Sequence, residues 1–572
     1  MLRWSLVILA VLLLCAVMWR VLGWWRWRRR PAGALGLVLS GALPDVPAGG
    51  GWRSWLRRSS GPDLPSLLDL LEIAAGDPKV ESLLVRIEHL ECGLARAEEV
   101  RAALERFRAL GKKVVVYADE LGLSGYWVAL GASSIRLPPT GSLNVSGIAM
   151  EFTLLEGVLD RAGIHAQLIA RGKYKSMREQ FTASRMSDAN REMLTSLVTD
   201  LNAQLVERVA AARGKSREEV QAAIDSGPFR AEQALGCGLI DQTQYSDQLA
   251  DELGAEDGKL QSLGEYRRRL RRRRLLPRRV VRVALLNITG TIRSGHDRQG
   301  PNGPRATGDR SFRQVLRRMA KSSKVRAIVL RVDSPGGSAL ASDLMWRELN
   351  LAAKKKPMLV SMVNVAASGG YYTSALEGVP LWANPNTLTG SIGVVGGKFE
   401  VSGLLSKLGV GRETIASGPR ANFHAATTRW TAEELEKVDR DIEAAYRDFV
   451  TKMAEARRLP YEAIDKVAQG RVWTGRQALE ASLVDALGGL WDVKAALRER
   501  LALPKDAPIR WVAASAHRGL RPRRDDDELP QSVAGWLGRH VPGASDALEL
   551  ALDLRGEWLF ALSLIQPKRR GG

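Results

Sequence analysis

The chain contains one sequence unit twice, and this duplication constrains the fold more than any other feature. Short matching blocks recur about 245 residues apart along the 572-residue chain. Four pairs keep this spacing to within two residues: 84–88 with 329–333, 125–127 with 370–372, 169–172 with 415–418, and 239–241 with 483–485. Chance similarity between unrelated segments would not hold one register over about 160 residues, so we infer a duplicated structural unit.

Each copy alternates short β-branched runs with amphipathic segments. In the second copy, strands are predicted at 281–288, 325–333 and 357–363, and helical periodicity lies between them at 311–320 and 342–355. Long amphipathic helices are predicted later in each copy, at 191–214 and 432–458. A strand–helix–strand order implies a parallel sheet with right-handed crossovers. With 45% apolar residues the chain can build a core, so we predict an α/β fold in tandem copies capped by helices.

The predicted domain organisation follows from the repeats. The first repeat covers residues 35–262 and the second covers 283–500, with an arginine-rich linker at 263–282 and a carboxyl-terminal extension at 501–572. The linker has two readings, a solvated connector or a contact with anionic lipid. Nucleic-acid binding is the weaker reading, because no aromatic residue beyond Tyr266 interleaves with the arginines.

Charge and cysteine content limit the partners. The 84 Lys and Arg against 63 Asp and Glu give a net charge of +21, which attracts anionic partners without implying a base-specific site. Cys15, Cys92 and Cys237 form neither a paired framework nor a CxxC metal site. The sequence therefore predicts neither disulfides nor structural zinc.

An apolar run at the amino terminus predicts a membrane anchor within residues 1–30. Residues 4–19 are apolar except for Ser5, and extension to Trp25 gives enough length to span a bilayer, with tryptophans at the headgroup level. A cleaved signal peptide fits less well, because the run ends in Trp and Arg instead of small residues. Five arginines after the run favour a cytoplasmic body, which conflicts with the orientation implied by the resemblance given below.

Two glycine clusters follow predicted strands of the second copy, at 333–338 and 367–371. Loops at the carboxyl ends of parallel strands converge on one crevice, where ligands bind. Ser368 is the candidate nucleophile for acyl transfer. The backbone N–H of Gly369, together with that of Gly336 or Gly337, would stabilise a tetrahedral oxyanion.

A serine nucleophile needs a base, and the comparison of the two copies offers one. Of six histidines only His424 falls near a loop of the second copy, which leaves a Ser/His pair conceivable. Ser368 aligns with Leu123 of the first copy, whereas Lys175 aligns with Ala421 of the second. Each copy thus holds one half of a possible Ser/Lys pair, so we expect the two copies to build one site together.

Lys175 must be neutral near pH 7 to act as this base. Its pKa would have to fall by about 3 units, at a cost of about 4 kcal/mol. Burial against the other copy would lower the pKa, and the positive charges of Arg171, Lys173 and Arg178 are expected to act in the same direction, with Glu179 opposing them. Lys173 is the fallback base.

These motifs resemble the bacterial signal peptide peptidase A family in its long, two-repeat form. The resemblance rests on Tyr-Lys-Ser at 174–176, Ala-Ser-Gly-Gly-Tyr at 367–371 and Leu-Thr-Gly-Ser-Ile-Gly-Val at 388–394. It implies a membrane-anchored serine endopeptidase with a crotonase-like or Clp-protease-like α/β repeat. By the same resemblance, Ser368 is the nucleophile, Lys175 is the general base, and the Ser391 side chain holds the lysine through a hydrogen bond.

The resemblance also implies partners and a location. Family members cleave apolar peptides, including signal peptides released from preproteins, and assemble as tetramer-like rings that face the membrane. Neither a metal nor another cofactor is required, and no nucleic acid is expected. The implied location is the bacterial inner membrane, with a single-pass anchor and a periplasmic body. One departure is Glu-Gln-Phe at 179–181, where the family pattern leads us to expect a proline.

Two other functions compete with the proteolytic one. A crotonase-like acyl-CoA hydratase or thioesterase would use the same sheet, but the sequence offers no evident acidic pair for activating water. A membrane scaffold without catalysis would use the arginine-rich linker to bind lipid or nucleic acid. Labelling by a serine-reactive acylating probe distinguishes the scaffold from both enzymes.

Overall fold

The structure is a computed structural model that describes Met18 and residues 33–45, 63–253, 260–273, 280–300, 303–504 and 507–513. The predicted anchor, apart from Met18, and most of the carboxyl-terminal extension lie outside these residues. Among the helices in the described part of the chain, none combines the length and apolar character needed to cross a membrane.

The first repeat begins with a strand and ends in the arginine-rich region. Its elements, in chain order, are β1 (Ala34–Gly41), α1 (Leu64–Ala75), β2 (Ser82–Leu90), α2 (Leu94–Ala109), β3 (Lys113–Tyr117), β4 (Glu120–Gly122), α3 (Leu123–Ala129), β5 (Ser134–Leu137), β6 (Ser142–Asn144), α4 (Glu156–Ala162), β7 (His165–Arg171), a 3-10 turn (Ser176–Arg178), α5 (Glu179–Thr182), α6 (Asp188–Arg213), α7 (Arg217–Asp225), β8 (Phe229–Arg230), α8 (Ala231–Gly236), β9 (Gln242–Thr243), α9 (Asp247–Glu252), β10 (Gln261–Ser262) and α10 (Leu263–Arg273).

The second repeat follows the same plan. Its elements are β11 (Val281–Thr289), β12 (Thr291–Arg293), β13 (Arg298–Gly300), β14 (Gly303–Gly308), α11 (Asp309–Lys321), β15 (Ala327–Ser334), α12 (Ala339–Ala353), β16 (Met358–Ala367), α13 (Gly369–Ser374), β17 (Leu381–Ala383), β18 (Leu388–Gly390), β19 (Val394–Glu400), α14 (Ser402–Lys407), α15 (Ala432–Arg457), α16 (Tyr461–Val467), β20 (Val472–Thr474), α17 (Gly475–Glu480), β21 (Ala486–Leu487), α18 (Leu490–Arg500) and β22 (Ile509–Ala513).

Each repeat has its own mainly parallel sheet. The first sheet has six strands in the order β10-β1-β2-β3-β5-β9, and all of its pairings are parallel. The second sheet has eight strands, and its order β22-β11-β15-β16-β17-β21 reproduces the first. The α/β fold and its duplication are therefore present in the structure.

Local sequence explains why these elements form. Strand β15 has apolar residues on both faces, and six consecutive positions from Ala327 to Val332 are buried, as expected for a central strand of a parallel sheet covered by helices. Helix α15 begins with a capping box, in which the Thr431 hydroxyl accepts from Glu434 N–H and the Glu434 carboxylate accepts from Thr431 N–H.

Two boundaries differ from the sequence prediction. Residues 263–273 of the predicted linker form helix α10, and the buried Tyr266 side chain donates a hydrogen bond to Asp77. The arginine-rich segment therefore begins as a helix docked on the first repeat. Strand β22 pairs with β11, so the second sheet extends past residue 500.

The two repeats contribute to a common hydrophobic cluster and to a common buried ionic cluster. The first hydrophobic cluster includes first-repeat residues together with Val283, Leu285 and Val329 of the second sheet. Beside it, the Arg331 guanidinium of the second repeat pairs with the carboxylates of Asp45 and Glu99 of the first, both at 2.8 Å. Because the second sheet buries one face against first-repeat elements, the two halves meet in a fixed orientation.

An antiparallel ladder also joins the repeats. Strand β7 of the first repeat pairs with β19 of the second over seven residue pairs, from His165 opposite Glu400 to Arg171 opposite Val394. The loop that follows β7 therefore enters the second repeat, next to the carboxyl ends of β16 and β18.

Candidate active site

Lys175 lies inside the joint between the repeats. Its side chain is 4% exposed, and Nζ donates hydrogen bonds to Ser368 Oγ at 3.0 Å, Ser391 Oγ at 3.0 Å and the Ser391 carbonyl at 3.1 Å. Burial lowers the pKa of the amine to about 7. The lysine can therefore be neutral at physiological pH and accept a proton from a neighbouring hydroxyl.

Ser368 occupies a sharp turn between strand β16 and helix α13. Its backbone has φ 54° and ψ −117°, an uncommon conformation for a residue other than glycine. The Ser368 N–H donates to the Gly390 carbonyl at 2.8 Å, which fixes the turn against β18. Strained turns of this kind present a nucleophilic oxygen at the end of a sheet.

The glycine clusters meet at this turn. A Cβ at Gly369 would lie 3.3 Å from Gly337 N, so the two backbones are adjacent. The Gly336 N–H is already used, because it donates to Ser334 Oγ at 3.2 Å. An isolated β-bridge pairs Gly337 with Ile292. Its two hydrogen bonds run from Ile292 N–H to the Gly336 carbonyl and from Ser338 N–H to the Ile292 carbonyl, so the Gly337 N–H takes no part in it. Of the two alternatives that the sequence left open, Gly337 has the available donor.

A short segment at 469–471 holds both sides of the lysine. The Gln469 carbonyl accepts from Tyr174 N–H at 2.7 Å, and the Arg471 carbonyl accepts from Ser391 N–H at 2.7 Å. Between them, a Cβ at Gly470 would lie 2.6 Å from Lys175 Cβ. The segment thus sets the spacing between the lysine loop and Ser391.

Sequence reasoning missed this segment. Nothing in its composition marks it as part of a site, and its contribution is made by backbone carbonyls that any residue carries. The available signal was weak: Gly470 is a lone glycine two residues before β20, and a lone glycine near a strand often marks a close backbone approach.

The alternative bases lie elsewhere. The Lys173 side chain is 62% exposed and faces the Tyr174 ring and Glu192, whose interactions raise its pKa. His424 is exposed beside Phe423, whereas Ser368 is fully buried against Lys175. The fallback base and the Ser/His pair therefore do not match the structure.

The expected charge effects on Lys175 were also wrong. Arg171 is held by Asp439 and Glu443 on helix α15, and Glu179 accepts hydrogen bonds from Ser187 and Asn190. Burial by itself accounts for the lowered pKa of Lys175. The departure from the family pattern at 179–181 gives the short helix α5.

In the described part of the chain, no group of three or more His, Cys, Asp or Glu side chains is placed to hold a metal ion. Cys92 and Cys237 are free thiols there. The chemical groups that meet at the joint are a hydroxyl, an amine and backbone N–H donors.

A serine at a glycine-lined turn, with a buried amine at hydrogen-bonding distance, is the arrangement of a serine hydrolase. Comparison with known proteins narrows the class. The model of peptidase family S49 matches this chain twice, at residues 106–259 and 350–503. The chain belongs to this family and is a serine protease.

Individual relatives agree with the family assignment. The chain is 33% identical over 554 residues to the chloroplastic serine protease SPPA of Arabidopsis thaliana, which covers 94% of this chain and 78% of the relative. It is 28% identical over 568 residues to Protease 4 of Haemophilus influenzae, covering 93% and 91%. Among solved structures, a ClpP1 mutant of Listeria monocytogenes matches at 16% identity over 36% of this chain and 92% of its own, with a TM-score of 0.23.

Membership in peptidase family S49 excludes the two competing predictions, the acyl-CoA enzyme and the scaffold, as principal functions.

Proposed function

We propose that this protease cleaves peptide bonds with Ser368 as nucleophile and Lys175 as general base. The observation that carries the proposal is the 3.0 Å contact between Lys175 Nζ and Ser368 Oγ, made by an amine whose pKa burial lowers to about 7, so that a large fraction of it is neutral at physiological pH. As Ser368 Oγ attacks the scissile carbonyl carbon, its proton passes to Lys175 Nζ.

The tetrahedral intermediate then needs support for its oxyanion. The N–H groups of Gly369 and Gly337 are the proposed donors. Collapse of the intermediate breaks the C–N bond, and the Lys175 ammonium gives its proton to the leaving amine. The regenerated amine takes a proton from water, which attacks the acyl-enzyme carbonyl. As the C–Oγ bond breaks, the Lys175 ammonium returns this proton to Ser368 Oγ. Ser391 positions the lysine throughout through its hydroxyl and carbonyl oxygens.

The proposed substrates are apolar peptides, including cleaved signal peptides. The resemblance described above supports this class, and the apolar run at residues 4–19 would hold the enzyme at the membrane where such peptides arise. The proposed location is the bacterial inner membrane, with the protease body on the periplasmic side. We further propose that the chain assembles into a ring-like homo-oligomer.

Substitution at the two reacting groups tests the mechanism. Ser368→Ala and Lys175→Met are each expected to reduce turnover of an apolar peptide by about a thousandfold or more, because they remove the nucleophile or the base. Lys173→Ala is the matched control, since its exposed amine lies away from Ser368. Full turnover in either Ser368→Ala or Lys175→Met contradicts the mechanism.

A serine-reactive acylating probe gives a second readout that does not depend on the choice of peptide. Probe attachment at Ser368 is expected in the wild-type chain and in Lys173→Ala, with much slower attachment in Lys175→Met. Equal labelling rates in the wild type and Lys175→Met would remove Lys175 from the mechanism.

A further inference from the structure

The ladder between β7 and β19 is one half of a repeated joint. The duplication that relates the two repeats places residues 148–154 of the first repeat on β19, and residues 411–417 of the second repeat on β7, both at a spacing of 246. Helix α4 corresponds in the same way to α14, and Gly163 to Gly409, with φ values of 76° and 71°. Each chain therefore contains a second copy of both sides of the ladder.

These second copies, residues 148–154 and 411–417, belong to none of the sheets in the described part of the chain. Residues 411–417 are all exposed, and no backbone hydrogen bond is donated from them to another part of the described chain. Ile415 is fully exposed at 102%, whereas its counterpart Ile169 packs against the buried apolar side chains of the second repeat. An exposed apolar side chain in a segment outside any sheet is available for strand addition by another chain.

Two equivalent pairs of glycines show the same contrast between a packed and an unpacked copy. In the joint within the chain, Gly163 and Gly403 touch: a Cβ at Gly163 would lie 2.6 Å from Gly403 C, and a Cβ at Gly403 would lie 2.7 Å from Gly163 O. Their counterparts are Gly409 and Gly157, and a Cβ on either would meet nothing within 4 Å. Gly157 lies in helix α4, where glycine is unfavourable, and in the described part of the chain no atom comes close enough to require it. A close approach by another chain would give this glycine a role.

We propose that residues 148–154 of one chain pair antiparallel with residues 411–417 of a second copy of this chain, with Gly157 against Gly409 of the partner subunit. The register of the β7–β19 ladder carries over, so Met150 lies opposite Ile415 of the partner subunit and Ala149 opposite Ala416 of the partner subunit. This inference rests on the proposed homo-oligomer and names its interface.

The proposed joint is head-to-tail, because the first repeat of one chain contacts the second repeat of the next chain. Such heterologous contacts close into rings when the rotation per step divides a full turn. The partner-facing joint would bring Ala421 to Leu123 of the partner subunit, the positions that correspond to Lys175 and Ser368. A ring built in this way alternates catalytic joints within chains with non-catalytic joints between chains.

Engineered disulfides test the register. The full-length chain carrying Ala149→Cys and Ala416→Cys, oxidised in detergent, is expected to give a ladder of covalent multimers on a non-reducing gel. The control pair Ala149→Cys and Glu413→Cys lies three positions out of register, about 10 Å along the strand, and should remain at the level of the wild type. Monomers linked within one chain, equal yields for both pairs, or no multimers overturn the proposed interface.

A steric variant tests the same surface without cysteines. Gly157→Leu is expected to shift the full-length protein to smaller assemblies in sedimentation, while Gly236→Leu, at another open helical glycine, leaves the assembly unchanged. Retention of the wild-type assembly in Gly157→Leu overturns the proposal.

Probe labelling of Ser368 separates this proposal from the proposed mechanism. Both sides of the catalytic joint lie in one chain, so Gly157→Leu should still be labelled. Failure of the interface therefore appears as unchanged sedimentation, and failure of the mechanism appears as unlabelled Ser368 in the wild type.

Discussion

Lys175 Nζ and Ser368 Oγ lie 3.0 Å apart although the two residues are 193 positions apart in the chain. The contact exists because β7 of the first repeat pairs with β19 of the second and delivers the lysine loop to the turn after β16. Neither repeat holds both groups, so the proposed active site forms only when the repeats dock.

The pH dependence of activity follows from the buried amine. The pKa of Lys175 is lowered to about 7, and only the neutral amine can accept the serine proton. We expect kcat/KM to rise about tenfold per pH unit below this value and to level off above it. Initial rates from pH 5 to 9 measure the profile, and a flat profile over that range would contradict Lys175 as the base.

Removal of the same amine should stabilise the fold. The unfolded chain keeps the Lys175 proton up to about pH 10.5, whereas the folded chain releases it near 7. The unfolded state therefore binds more protons between these values, so the penalty is full below pH 7 and fades as the pH approaches 10.5. We expect Lys175→Met to raise the free energy of unfolding by about 2–4 kcal/mol at pH 7, less the lost hydrogen bonds.

Denaturant unfolding of Lys175→Met and of the wild type at pH 7 and at pH 9.5 measures this gain. Lys173→Met serves as the control, because its amine is exposed and its removal should leave stability nearly unchanged. If Lys175→Met is less stable than the wild type at pH 7, burial of the amine does not destabilise the fold and the prediction is wrong.

Ser391 is expected to act on turnover more than on binding. Its hydroxyl holds Lys175 Nζ at 3.0 Å, so Ser391→Ala leaves the amine with fewer contacts that fix its position. We expect kcat to fall about tenfold to a hundredfold with KM nearly unchanged. Ser323→Ala, at an exposed turn, is the control. A rise in KM at constant kcat would instead place Ser391 in substrate binding.

Gly470 should tolerate no side chain. A Cβ there would lie 2.6 Å from Lys175 Cβ, and φ is 74°, so alanine must displace the lysine loop. We expect Gly470→Ala to lower kcat at least tenfold. Gly378→Ala has a similar φ of 67° but only an Arg458 Nη2 atom at 3.8 Å, so it controls for backbone strain. Equal losses in both variants would show that strain, and not displacement of the lysine, causes the effect.

Docking of the repeats should depend on the buried ionic cluster. Arg331 is 1% exposed between Asp45 and Glu99. Burial raises the pKa of Asp45, but Arg331 and Arg96 outweigh this effect, and the pKa lies below its usual value. We expect Arg331→Met to lower the free energy of unfolding by about 3–5 kcal/mol, since it leaves buried carboxylates uncompensated. Thermal unfolding of Arg331→Met against the exposed Arg326→Met measures the loss.

The sequence predicted the elements well because their signals are local. The predicted strands at 281–288, 325–333 and 357–363 overlap β11, β15 and β16, and the predicted long helices overlap α6 and α15. The boundaries were less accurate. The arginines of segment 263–273 led to its prediction as a linker, but it forms a helix. The helix is anchored by the hydrogen bond from Tyr266 to Asp77, two residues that are 189 positions apart in the chain.

The contact between Ser368 and Lys175 was also expected from the sequence, but from the duplication and not from a local signal. Reciprocal loss at Leu123 and Ala421 singled out Ser368 and Lys175, because duplication leaves a record that one sequence can show. The predicted effect of Arg171 and Glu179 on the pKa of Lys175 was wrong, because both side chains are held by partners on other elements.

By itself, the sequence determined the duplication, the α/β class and the two residue types that meet at the site, because repeats, periodicity and glycine clusters are properties of the order of residues. Only the tertiary structure decided that the Gly336 N–H is engaged by Ser334 while the Gly337 N–H donates to nothing within the described residues, that burial alone lowers the pKa of Lys175, and that residues 469–471 position it. These features depend on backbone groups and on solvent exclusion at a joint between distant segments, and neither is encoded by residue type at a single position.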